Sequence, residues 1–133
     1  MAPPFFDTNV VLYLVGSDPA KADRAESLLV GGGVISVQVL NEFASVASRK
    51  QRMPWPEIED VLRSVRALCR VEPLTVGTHD GARRLAQDHA FSFYDALIVA
   101  SALGADCDTL YSEDLQHGRR IDRTLTIRNP FAA

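Results

Sequence analysis

Cysteine is scarce in this chain: its 133 residues include two, Cys69 and Cys107, with no Cys-x-x-Cys pair. That excludes a disulfide framework and a structural zinc site, and leaves two half-buried thiols suited to a reducing cytoplasm. Long apolar runs are also missing. The stretch PFFDTNVVLYLVG is broken by Asp7 and Asn9, follows no basic leader and is too short to span a membrane, so neither a signal peptide nor a membrane helix is expected. Excess positive charge is lacking too. With a net charge of -3, a nucleic-acid ligand would have to be held by a local patch or through metal. There is no Gly-x-x-x-x-Gly-Lys loop and no Gly-x-Ser-x-Gly elbow, and Gly31-Gly32-Gly33 reads as a turn.

What is present is apolar material in short, regular pieces. Hydrophobic residues make up 47% of the chain, enough for a core, and the length suits one domain over residues 1–133. Phe5-Phe6 reads as the end of a first strand, with a helix beginning at Thr8 and another over Lys21 to Val30. Val34-Ile35-Ser36 reads as a strand, followed by a helix with Val39, Leu40, Phe43, Val46 and Ala47 on one face. Pro54 and Pro56 mark a break before a helix over Glu57 to Cys69. A strand is expected over Val71 to Val76, then helices over Gly81 to His89 and Tyr94 to Leu103. Thr109 to Tyr111 and Leu125 to Ile127 read as further strands. Short strands alternating with helices predict an α/β layer fold with a short, mainly parallel sheet, whose ligands sit beyond the carboxyl ends of the strands.

Four acids stand where strands end or helices begin: Asp7, Glu42, Asp95 and Asp114. Each has a local reading. Asp7 suits an N-cap accepting from the amide of Asn9 or Val10, and Ser92-x-x-Asp95 has the form of a capping box. Glu42 suits a helix flank and Asp114 a turn. As a set they call for more, because Asp7 and Asp95 adjoin strongly apolar segments. Two like charges about 4 Å apart repel by about 4 kcal/mol at an effective dielectric of 20. Gathering the four therefore requires protonation, cationic partners or a metal, and hard oxygen donors without His or Cys favour Mg²⁺ or Mn²⁺.

In order and spacing these residues resemble the PIN-domain family, and within it the VapC-type toxins of bacterial toxin–antitoxin pairs. The resemblance rests on Phe6-Asp7-Thr8-Asn9, Asn41-Glu42, Tyr94-Asp95-Ala96-Leu97-Ile98, Ser112-Glu113-Asp114-Leu115 and the ending Ile127-Arg128-Asn129-Pro130-Phe131. It implies a three-layer α/β/α fold and a cytoplasmic, Mg²⁺- or Mn²⁺-dependent endoribonuclease that hydrolyses phosphodiester bonds with metal-activated water. By the same resemblance Asp7, Glu42, Asp95 and Asp114 form the catalytic acidic pocket, with Asp7, Asp95 and Asp114 on the metal. Glu113 is the alternative to Asp114. Thr8, Asn9 and Ser112 would orient carboxylates or water from behind. The implied partners are an RNA substrate, a VapB-type antitoxin and a second copy of the chain.

Arg49 and Lys50, at the end of the Glu42 helix, are candidate RNA contacts. Arg49 lies on nearly the same face as Glu42, about 10.5 Å along the axis. Arg119, Arg120 and Arg123 form a second basic group, and Trp55 is either core or an exposed anchor. The alternative function is a catalytically silent PIN scaffold that binds RNA or a protein partner.

Overall fold

Two consecutive buried phenylalanines, Phe5 and Phe6, form β1 at the centre of a six-stranded sheet. A strand flanked on both sides and covered on both faces has no need for polar alternation, so an unbroken aromatic pair fits there. Burying each such side chain contributes roughly 1.5–3 kcal/mol. The computed structural model describes residues 2–132; the ends of the domain expected over 1–133 lie outside them.

The other strands are β2 (Gly33–Ser36), β3 (Cys69–Glu72), β4 (Thr109–Tyr111), β5 (Arg120–Ile121) and β6 (Leu125–Arg128). Their order is β3-β2-β1-β4-β6-β5, parallel throughout except for the β5–β6 pair. The helices are α1 (Thr8–Leu12), continued by a 3₁₀ turn over Tyr13–Val15, α2 (Pro19–Val30), α3 (Val37–Arg49), α4 (Trp55–Leu68), α5 (Val76–His89) and α6 (Phe93–Gly104). Steps from β1 to β2 and from β2 to β3 move the same way along the sheet. The step from β3 to β4 returns past β1. With right-handed crossovers, α1 to α4 cover one face and α5 and α6 the other, giving the expected α/β/α layers. Helix contacts within each layer agree: α1 with α3, α3 with α4, α2 with α4, and α5 with α6; α3 also reaches α6 across the layers.

Several boundaries differ from the sequence expectation. The break at Pro54 separates α3 from α4 as expected, but Pro54 caps α4 and Pro56 lies inside its first turn, so the helix starts at Trp55 rather than Glu57. Strand β3 begins at Cys69 and stops before Pro73, while Val76 opens α5 behind a reciprocal Thr75–Thr78 capping box. Gly33 belongs to β2, and Gly32 makes the turn at φ +82°. The short β5, antiparallel to β6, was not anticipated. Cys69 and Cys107 are both free and fully rather than half buried, and burial pushes each thiol up to about 11.

Candidate active site

The order in which strands are added reverses between β1 and β4, which is where parallel sheets open a crevice for ligands. Asp7 follows β1 there, and its amide donates to the Tyr111 carbonyl at 2.9 Å. Ser112 follows β4, and its amide donates to the Arg128 carbonyl at 3.0 Å. The two side chains meet: Ser112 Oγ donates to Asp7 Oδ2 at 2.7 Å. Asp7 also caps α1, accepting from the Thr8 amide at 2.7 Å rather than from Asn9 or Val10.

The remaining acids arrive on helices. Ser36 ends β2 and caps α3, and one and a half turns later α3 presents half-buried Glu42. The Thr8 hydroxyl donates to Glu42 Oε1 at 2.6 Å, tying α1 to α3. Ser92 caps α6 by accepting from the Asp95 amide at 3.4 Å, and half-buried Asp95 stands in the first turn. Asp114 is exposed in the loop after β4, and its Oδ2 accepts from Asn9 Nδ2 at 3.2 Å. Asn9 holds that loop from its other end too, accepting from the Glu113 amide at 3.1 Å.

Asp7, Glu42, Asp95 and Asp114 thus line one cavity of about 310 Å³, together with Thr8, Asn9, Ser45 and Arg49. Among the described residues, no three or more His, Cys, Asp or Glu side chains are grouped closely enough to hold a metal ion as they stand. The acids surround a space instead of closing on a point, as mutual repulsion dictates for uncompensated carboxylates. Asp7 registers that repulsion. Burial above all pushes its carboxyl up to about 7, with Glu42 and Asp95 adding to the effect against the hydrogen bonds from Ser112 and Thr8. Arg49 is the one cationic side chain among those lining the cavity, and its Nε donates to Ser45 Oγ at 3.1 Å. A divalent cation fits this donor set: hard oxygens, no His or Cys, and a buried carboxylate short of positive charge.

Glu113 and Asp114 are adjacent but differently engaged. Lys21 Nζ pairs with Glu113 Oε2 at 2.7 Å, and the Tyr13 hydroxyl donates to Oε1. Burial raises the Glu113 carboxyl, but Lys21 and Tyr13 outweigh it and hold the group below its usual value. Asp114 lines the carboxylate cavity and Glu113 does not.

Other candidates fall elsewhere. Lys50 caps the end of α3, is exposed, and does not line the cavity. Arg119 donates to the His89 carbonyl at 2.9 Å and lies over the Phe91 ring. Arg120 donates to the Arg123 carbonyl at 2.6 Å. His117 accepts from the Asn129 amide at 2.9 Å on the surface. Trp55 is 64% exposed, which removes the core reading. Ser45 was missed, although it sits three residues after Glu42 and four before Arg49, a spacing that shares their helix face. The Tyr13–Lys21–Glu113 cluster carried no local signal, because Glu113 is about a hundred residues from Tyr13.

Fold and cavity together define a parallel α/β protein with an acidic crevice at the reversal point of its sheet. The chain belongs to the PIN domain family, whose model matches residues 5–123. Comparison with curated protein sequences gives no match. Among solved structures it is similar to a toxin–antitoxin complex from Klebsiella pneumoniae, at 19% identity and a TM-score of 0.72, covering 98% of this chain and 99% of that one. It is also similar to the DNA-bound VapBC of Salmonella typhimurium, at 19% identity and a TM-score of 0.69, over 98% and 99% of the two chains. A third is Mycobacterium tuberculosis VapC20, a toxin that cleaves the sarcin-ricin loop, at 21% identity and a TM-score of 0.65, over 84% and 89%. At these identities the likeness is one of fold.

Proposed function

We propose that the protein is a divalent-cation-dependent endoribonuclease and the toxin of a VapBC-type pair, neutralised by a VapB-type antitoxin. The observation that carries the reading is the convergence of Asp7, Glu42, Asp95 and Asp114 on one cavity in a PIN-family chain. Asp7, Asp95 and Asp114 would hold Mg²⁺ or Mn²⁺, which supplies water of lowered pKa and neutralises phosphate charge. Glu42 completes the acidic wall. Ser112 and Thr8 fix the carboxylates of Asp7 and Glu42 by donating to them, and Asn9 holds the Asp114 loop. Arg49 faces the same cavity and suits a phosphate beside the cut, while Lys50, outside it, can add only longer-range attraction. The Klebsiella, Salmonella and Mycobacterium proteins support the toxin reading through their shared fold. A cytoplasmic location and a homodimer belong to the same proposal. Among the described residues no helix is long and apolar enough to cross a membrane.

The test is cleavage of RNA by the purified chain with Mg²⁺ or Mn²⁺ and with EDTA. Asp95→Asn and Asp114→Asn are expected to lower cleavage at least about a hundredfold, and EDTA to abolish it. Glu113→Gln, which loosens the Lys21 pair outside the cavity, is expected to retain activity. Full cleavage by Asp95→Asn, or in EDTA, sinks the proposal. Cation binding without cleavage of any RNA would favour a silent scaffold.

A further inference from the structure

Immediately before Asp95, the surface carries aromatic rings that the core does not use. Tyr94 is 62% exposed and Phe93 37% exposed, and both stand in the first turn of α6 with Asp95, which lines the carboxylate cavity. His79, exposed on α5, brings a third ring to within 5.4 Å of Phe93, and Phe93 lies 5.9 Å from Tyr94. The planes meet at 62° and 59°, so the rings brace one another without stacking face to face. Tyr94 stays the more open of the two α6 rings. Large aromatic side chains left in water next to one another mark a contact surface more often than chance exposure does.

We infer that Tyr94, Phe93 and His79 form a stacking platform for unpaired nucleobases of a single-stranded RNA whose backbone enters the adjoining carboxylate cavity. The inference rests on the ribonuclease reading above for the identity of its ligand. The placement fits that occupant in two ways. Tyr94 is the chain neighbour of Asp95, whose side chain lines the cavity, so a strand held on the rings lies close to the acids. The charge pattern leaves a role for it. The chain is net negative and the cavity wall offers Arg49 as its cationic side chain, so phosphate attraction alone is weak. Stacking on aromatic faces is sequence-tolerant and independent of phosphate charge. It supplies affinity where a basic groove would otherwise be needed.

The test is equilibrium binding of the full chain, in EDTA, to a fluorescein-labelled pool of random-sequence single-stranded RNA about ten nucleotides long. Tyr94→Ala is expected to weaken binding about 5- to 100-fold, by a similar factor at low and high salt, and Tyr94→Phe by less than about twofold. A labelled ribose-phosphate strand without bases should bind the parent at least as weakly as the RNA pool binds Tyr94→Ala, because it loses every ring contact. Because Tyr94 is mostly exposed, its substitution should leave the melting temperature unchanged, which circular dichroism checks. Unchanged RNA affinity in both Tyr94→Ala and His79→Ala overturns the inference and assigns the rings to a protein partner. A parent chain that binds RNA no better than the abasic strand overturns it as well. Binding is read without cation and cleavage with it, so the two proposals fail separately. RNA held through Tyr94 but never cut sinks the nuclease alone, and cutting that is indifferent to Tyr94 sinks the platform alone.

Discussion

Asp7 is both the N-cap of α1 and the most buried of the acids around the cavity, and these positions act on its charge in opposite directions. The cap and Ser112 favour the carboxylate, whereas burial, then Glu42 and Asp95, favour the acid and win, raising it from 3.8 to about 7. Between those values the folded chain keeps a proton that the unfolded chain has released. The stability this group contributes is therefore fully present below about pH 4 and is lost as pH rises through about 7, a difference on the order of 4 kcal/mol without cation. Asp7→Asn keeps an acceptor for the Thr8 amide and removes the charge. In EDTA it should melt higher than the parent at pH 8, with the gap closing toward pH 4; equal melting at both pH values contradicts the burial argument. Much of this residue was legible from its neighbours, since an acid between Phe6 and Val10 must be half-buried at least. Its capping partner and its bond to Ser112 were not, because one depends on local backbone angles and the other on strand pairing.

At the scale of elements, the contact that sets the site's position is the one between β1 and β2. Gly33 begins β2 beside Phe6, where an added Cβ would lie 2.5 Å from the Phe6 ring and 2.6 Å from the Pro4 carbonyl oxygen. That carbonyl is already fixed by the Val34 amide at 2.8 Å. Gly33→Ala therefore cannot be absorbed by a side-chain rotation alone. It should cost about 1–3 kcal/mol, read as a lower urea midpoint at unchanged slope. An unchanged midpoint would show that the two strands can separate freely. The glycine run was recognisable in sequence as a break, but its packing role was invisible, because what limits Gly33 is a ring twenty-seven residues earlier in the chain. Helices with one apolar face, such as α3 and α4, were readable nearly to their ends. The two-residue β5 was not, since so short a strand exists only through its partner β6.

The whole molecule brings four carboxylates from the β1–α1 junction, α3, α6 and the loop after β4 to one crevice, and their mutual repulsion opposes the folded state. A cation bound there stabilises the fold by mass action, by about 2.7 kcal/mol at a hundred times its dissociation constant. Titrating Mn²⁺ or Mg²⁺ into the metal-free chain at pH 8 should raise the melting temperature by about 5–10 °C, and EDTA should reverse it. Asp7→Asn should lose most of that rise. A parent chain with no shift in either metal removes the cation from this site.

The sequence by itself determined the alternation of strands and helices, the acids at their junctions and the apolar faces they interrupt, because each depends on neighbours within a few residues. It also carried the family, through the order of its short motifs. Only the tertiary structure decided which side of each junction faces which. Glu113 and Asp114 are adjacent acids in one loop, and nothing local separates them. Lys21 and Tyr13, brought from the other end of the chain, engage Glu113, while Asn9 holds Asp114 beside the cavity. A charge is placed by the partners that reach it through space, and those partners are set by the packing of the sheet.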